Sequence, residues 1–293
     1  MRDDVAPVTA DLLRDWRLPE PGSSKDARGT AVVVGGSSST PGAVILAGES
    51  VLRVGGGKLQ VATATSTAGQ VSLAIPEALV RGFRETDSGD LDEAACDDVF
   101  DMASDATVTL LGPGLLSPEH AADLLAGVVP RLTGEVVIDA LGSAFVTREP
   151  EALRPLAGRV VLTLNHDELA HTLGTDIERV QRDAFSASAE LVDRTQAVVL
   201  CGGPEKVVVT PGGERYRIAE GGPGLGVSGS GDVKAGLVTG LLARGAEPGQ
   251  AAVWGAYLHG AAGDRLAQEH GRTGFLAREL PAVVPRLLDW LAG

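Results

Sequence analysis

The chain has 293 residues, 44% of them hydrophobic and 22% charged, enough for one large or two small domains with a full apolar core. A formal net charge of -14 and the lack of any Lys/Arg cluster argue against a nucleic-acid-binding surface. The N-terminus is charged where a secretory signal would be apolar, and no uncharged apolar run reaches the ~18 residues a membrane helix needs. Two cysteines, Cys96 and Cys201, make no disulfide framework, so the expected setting is the reducing cytoplasm, with no membrane contact.

Residues 1–30 are polar and read as an N-terminal arm leading to a first strand, Val32-Val33-Val34. The turn Gly35-Gly36-Ser37 follows, and Pro41-Gly42 opens a helix over 43–54 with apolar residues at helical spacing. Strands are predicted over 59–64 and 71–75, and an acidic-start helix over 91–103. A buried-type strand over 107–111 ends in Gly112-Pro113-Gly114. A helix over 118–129, strands over 135–139 and 160–163, and a long helix over 175–194 come next. A strand over 197–200 and a hairpin, 206–210 with 214–218 around Pro211-Gly212-Gly213, complete the strands. After Gly229-Ser230-Gly231-Asp232 the chain is helical to about residue 288. This alternation predicts an α/β fold, a mostly parallel central sheet with helices on both faces. Ligands belong at the carboxyl ends of such strands. No break in composition divides the chain, so one domain over 1–293 is expected.

The strongest local signal is Gly229-Ser230-Gly231-Asp232 at the start of a helix. The amides of Gly229, Ser230 and Gly231 would meet the positive end of the helix dipole and could hold a phosphoryl group without a lysine. The Asp232 carboxylate could then take a proton from a hydroxyl beside it. The competing interpretation is that Ser230 or Asp232 only caps the helix. Gly35-Gly36-Ser37 lacks the spacing of a dinucleotide fingerprint and of a phosphate-binding P-loop. Thr163-Leu164-Asn165-His166-Asp167-Glu168 packs several polar groups after a strand. Glu168 could hold Mg²⁺ through water, or sit in a first helical turn where the dipole favours it. A lone His166 is more often structural than catalytic. His259, in Trp254-Gly255-Ala256-Tyr257-Leu258-His259-Gly260, is expected to serve helix packing, and Cys201 to be a small buried residue.

In this order the motifs resemble the ribokinase-like superfamily, and within it the ATP/ADP-dependent NAD(P)H-hydrate dehydratases. The similarity covers about residues 18–288. Val34-Gly35-Gly36-Ser37 with Pro41-Gly42-Ala43 is similar to that family's opening strand, turn and helix. Leu111-Gly112-Pro113-Gly114-Leu115 resembles its GPGL turn, and Val137-Ile138-Asp139-Ala140 its strand ending in DAD. Gly229 to Val233 with Ala235-Gly236 resembles its G-[TS]-G-D-V-L-A-G signature, and 251–264 its closing helix. The resemblance implies a ribokinase-like three-layer fold. It also implies phosphorylation of the ring hydroxyl of hydrated NADH or NADPH (NADHX, NADPHX) by ADP or ATP with Mg²⁺, followed by loss of phosphate.

In that reading Asp232 is the base and the amides of Gly229, Ser230 and Gly231 stabilise the moving phosphoryl group. Ala43, Gly114 and Asp232 fall where the family contacts substrate, and Asn165 and His166 fall at its T-P-H-x-x-E element, whose His binds substrate. Gly231 and the loop Cys201-Gly202-Gly203-Pro204-Glu205 fall at the nucleotide. Three departures from the pattern matter for the expected site. Asn165 stands at the His position, with His166 displaced by one. Cys201 stands where a strand-end Lys is usual, with Glu205 nearby. Leu141 replaces the second Asp of DAD. The resemblance further implies a homo-oligomer, and no residues are left over for the family's fused epimerase domain. Asn165-x-x-Glu168 keeps a small-molecule kinase acting on a vitamin precursor or sugar open. Cys201 and Leu141 keep open a degenerate nucleotide-binding non-enzyme.

Overall fold

The computed structural model describes residues 5–292. Its first buried strand shows how the layers arise. In β2 (Thr30–Val34) the side chain of Val33 enters one apolar core, while Val32 and Val34 enter the other. Successive side chains of a strand point to opposite faces, so a strand apolar at every position must be covered on both. The strands β3 (Lys58–Ala64), β4 (Leu79–Phe83), β5 (Val108–Leu111), β6 (Glu135–Asp139), β7 (Val160–Asn165) and β8 (Val198–Gly202) run parallel with it. The hairpin β9 (Lys206–Val209) and β10 (Arg215–Ile218) adds antiparallel strands at one side. With β1 (Val5–Pro7) at the edge, the described residues form a ten-stranded sheet of order β1-β10-β9-β8-β7-β6-β5-β2-β3-β4.

One face is covered by α1 (Ala10–Asp15), α2 (Pro41–Arg53), α3 (Thr65–Ala74), α10 (Ser230–Ala243), α11 (Pro248–His270) and α12 (Leu280–Ala292). The other is covered by α4 (Cys96–Ala103), α5 (Pro118–Val128), α6 (Ser143–Arg148), α7 (His166–Leu173), α8 (Ile177–Arg182) and α9 (Ala184–Thr195). This is the three-layer arrangement expected from the sequence. Helix α10 is buried at every position from Val233 to Ala243. A helix apolar all round belongs in the interior, and α10 lies between α2 and α11 against the sheet.

The expected strand over 71–75 is helix instead, part of α3. Thr67, Val71 and Ile75 are buried at four-residue spacing, while Leu73 is 86% exposed. The neighbouring strands β3 and β4 are parallel, and parallel neighbours need a crossover, which α3 supplies. The long helix expected over 175–194 is two helices. Asp183 breaks it and caps α9 by accepting from the Ser186 amide at 3.0 Å. The arm also contains secondary structure. β1 pairs parallel with β10, and the Trp16 carbonyl accepts from the Trp254 indole at 3.0 Å. Among the described residues no helix is long and apolar enough to cross a membrane.

Candidate active site

The carboxyl ends of β2, β5, β6, β7 and β8 open on the same edge of the sheet, and the glycine turns gather there. The Gly36 amide donates to the Pro113 carbonyl at 2.8 Å, and the Thr40 hydroxyl to the Gly114 carbonyl at 2.7 Å. Gly114 has φ +70, and a Cβ there would lie 2.9 Å from that of Ala43. The two residues expected on the substrate side are therefore in contact. Glycine is required at 114 both by its backbone and by this approach.

Close packing brings α10 to the same place. A Cβ on Gly236 would come within 2.2 Å of the Ala47 carbonyl oxygen, and one on Gly240 within 2.6 Å of that of Val51. These bare positions let α10 lie directly on α2. Its N-terminal turn then sits beside the start of α2, with Gly229 (φ +88) packed on Leu46.

No side chain caps α10. The Ser230 hydroxyl is instead 2.8 Å from Nε2 of buried His259, whose pKa burial holds well below its usual value, so the ring is neutral. Ser230 was expected among the amide donors, but its N–H donates to the Val227 carbonyl at 3.1 Å. Among the described residues no acceptor engages the N–H groups of Gly229, Gly231 or Asp232. The donor set of the turn thus has Asp232 in place of Ser230. Helix starts leave such amides free for an anion.

Asp232 is partly buried in the first turn of α10. Burial, then the neighbouring Glu168 charge, pushes its pKa up to about 6. The capping alternative for Asp232 is not realised. Asp139, at the end of β6, is buried and accepts from the Thr163 hydroxyl at 2.6 Å. Its pKa is raised well above the usual range, chiefly by burial and next by Glu168. Asn165 and Glu168 form a reciprocal cap on α7. The Asn165 amide donates to Glu168 Oε2 and the Glu168 amide to Asn165 Oδ1, both at 2.9 Å. The N-x-x-E pattern has this structural cause. Among the described residues no three His, Cys, Asp or Glu side chains form a ready-made metal cage. Carboxylates near one another, without a cage, suit Mg²⁺, which keeps waters and shares phosphate oxygens.

Beside this turn lies a cleft of ≈ 720 Å³. Asn165, Gly202, Gly203 and Pro204 form one wall, and Gly221 to Pro223 with Leu225 to Val227 the other. Ser230, Gly231, Lys206, Lys234 and His259 also face it. Through Ser230 and Gly231 the turn that precedes Asp232 therefore borders a pocket large enough for a small-molecule ligand.

A family model described as NAD(P)H-hydrate dehydratase matches residues 31–286. The chain belongs to the NAD(P)H-hydrate dehydratase family. It is 41% identical over 289 residues to an ADP-dependent (S)-NAD(P)H-hydrate dehydratase of Xanthomonas campestris, covering 98% of this chain and 97% of that one. It is 33% identical to a bifunctional NAD(P)H-hydrate repair enzyme of Moorella thermoacetica, of which it spans about half, 51%. Among solved structures it resembles the ADP/ATP-dependent NAD(P)H-hydrate dehydratase of Bacillus subtilis co-crystallized with ATP and Mg²⁺. That similarity has a TM-score of 0.81 at 26% identity, over 99% of this chain and 100% of the other.

Within this NAD(P)H-hydrate dehydratase fold, several expected site residues sit differently from the sequence reading. Cys201 was expected at the nucleotide and, as a side chain, to be buried; the side chain is fully buried in the core behind the sheet, where burial pushes the thiol up to about 12. Only its backbone can border the cleft. Glu205 does not line the cleft; its exposed carboxylate is 3.7 Å from Arg217 on β10. His166 packs on the cleft wall, its Nε2 2.5 Å from where a Gly203 Cβ would stand, and not beside Ala43 and Gly114. Leu141 packs against the apolar core on that side.

The motifs did not point to Lys206, Lys234 or His259 as cleft residues. The Lys206 ammonium donates to the Glu220 carbonyl at 2.6 Å, and burial lowers its pKa to about 8. A lysine inside an otherwise apolar helix was the available signal for Lys234. Removing the Asn165 cap by Asn165→Ala is expected to cost about 1 kcal/mol in urea unfolding, with the cleft wall loosened at the start of α7.

Proposed function

We propose that this chain restores NADH and NADPH from their ring-hydrated forms, with ADP or ATP and Mg²⁺ as co-reactants. The observation that carries the reading is Asp232, a carboxylate raised to about 6, standing beside free main-chain donors in the turn whose Ser230 and Gly231 line the cleft. A base poised near neutrality can hold and release a proton during turnover. The names of the Xanthomonas relative and of the Bacillus structure with ATP and Mg²⁺ support the same choice of reactants.

In the reaction Asp232 accepts the proton of the ring hydroxyl. The hydroxyl oxygen bonds to the terminal phosphorus, and the bond from phosphorus to the departing nucleotide oxygen breaks. The N–H groups of Gly229, Gly231 and Asp232 stabilise charge on the transferring group. The ring C–O bond then breaks, its electron pair leaving with phosphate, and loss of a ring proton restores the C=C bond.

Ala43 and Gly114 contact the hydrated ring from the α2 side. Gly202, Gly203, Pro204 and Gly231 hold the nucleotide, with Asn165 and His166 shaping that wall. Glu168, whose Oε2 caps α7, would hold Mg²⁺ through water with its other oxygen, and the ion would supply charge neutralisation at the phosphates. The kinase alternative loses its motivation, since Asn165 and Glu168 cap a helix.

The same reading makes the chain one dehydratase domain of the cytoplasm, where its two free thiols are at home. It assembles as a homo-oligomer, which light scattering checks. Incubating the protein with NADHX, Mg²⁺ and ADP or ATP should restore the absorbance of the reduced ring and release phosphate. No recovery with either nucleotide would overturn the reading.

A further inference from the structure

The cleft contains a cation that no motif announced. Lys234 lies one helical turn after Ser230 and is only 6% exposed, yet it faces the cleft. Its Nζ is 3.0 Å from where a Cβ on Gly202 would stand, so the ammonium rests against the bare backbone of the β8 end. Among the described residues no hydrogen bond or ion pair within 4.0 Å engages it. The Lys206 ammonium, by contrast, is tied to the Glu220 carbonyl. A buried ammonium with no partner is unfavourable until an anion reaches it. The free amides of Gly231 and Asp232 belong to the turn just before it on α10, so an anion in the cleft can meet donors and cation together.

We propose that Lys234 is the phosphate-binding cation of this cleft, reaching a nucleoside di- or triphosphate from the helix and not from the strand end. The proposal rests on the nucleotide-dependent reading above and adds to it the residue that supplies the charge. Two departures from the resembled pattern meet here. Position 201 carries Cys where a strand-end Lys is usual, and position 234 carries Lys where the signature has Leu. The two lie close enough for the Lys234 charge to act on the Cys201 thiol. One element lacks a cation and its neighbour provides one. A compact ammonium suits this role, because it needs no planar partner and can follow a moving phosphate.

The test compares wild type, Lys234→Met and Lys234→Arg by calorimetric titration with ADP and with adenosine, in the presence of Mg²⁺. Lys234→Met should weaken ADP about 10- to 100-fold, the worth of a charged hydrogen bond. It should leave adenosine affinity and the KM for NADHX unchanged. Lys234→Arg should recover most of the ADP affinity. Equal ADP binding by wild type and Lys234→Met would overturn the proposal, as would an equal loss for adenosine or wild type that binds no ADP. If Lys234 only balances buried Asp139, Lys234→Met lowers the thermal midpoint and leaves ADP affinity intact, which also overturns it. Failure of the dehydratase reading shows separately, as wild type that binds ADP but leaves NADHX unchanged.

Discussion

Asp232→Asn is expected to lower kcat/KM for NADHX about 10²- to 10⁴-fold, the usual worth of a positioned general base. The amide keeps the size and polarity of the side chain, so ADP affinity should change little. The fold should hold and even gain. A carboxylate whose folded pKa is raised to about 6 from 3.8 favours the folded state least where it is ionised. Its destabilising effect is absent below pH 3.8, grows between the two values and is complete above about 6. Asp232→Asn removes that effect at neutral pH, so its urea midpoint at pH 7 should equal or exceed that of wild type. Greater stability with lost turnover is the mark of a site held under electrostatic strain.

The same shift predicts a pH profile. Asp232 must be ionised to accept the proton, so kcat/KM of the wild type should rise tenfold per pH unit below about 6 and level off above it. The acidic limb should be absent from the residual activity of Asp232→Asn. A variant that keeps wild-type turnover, or a limb that persists unmoved after the substitution, would show that another group takes the proton.

Gly236→Val has the largest structural effect expected. Its Cβ would stand 2.2 Å from the Ala47 carbonyl oxygen and 2.7 Å from the Ser50 Cβ, so α10 must move off α2. Overpacking of this kind costs about 1–3 kcal/mol and sometimes more. The displacement also carries the Gly229 to Asp232 turn away from Ala43 and Gly114. Turnover should therefore fall further than lost stability alone accounts for, at temperatures where the variant is still folded. Gly231→Ala is the contrast, because a Cβ there meets nothing within 4 Å and α10 keeps its place. Equal unfolding midpoints for Gly236→Val and wild type would mean that the two helices tolerate separation.

The central strands were legible because β-branched runs buried on both faces have few alternatives to a parallel sheet. The Gly229-Ser230-Gly231-Asp232 turn was legible because glycines at a helix start carry their chemistry in the backbone. The sequence read the segment over 71–75 as strand, since a short apolar run fits either period. What decided it was the parallel pairing of β3 with β4, a constraint that exists only once both strands are in place.

The sequence by itself determined the layered α/β architecture, the glycine turn that opens α10 and the carboxylate beside it, because each depends on local backbone propensity and residue order. Tertiary structure alone decided which charges face the cleft. Strand parity sends Cys201 into the core while Gly202 borders the pocket, and helix packing across bare glycines aims Lys234 at that gap. Such meetings join residues more than thirty positions apart, and only the packed chain fixes the face each one presents.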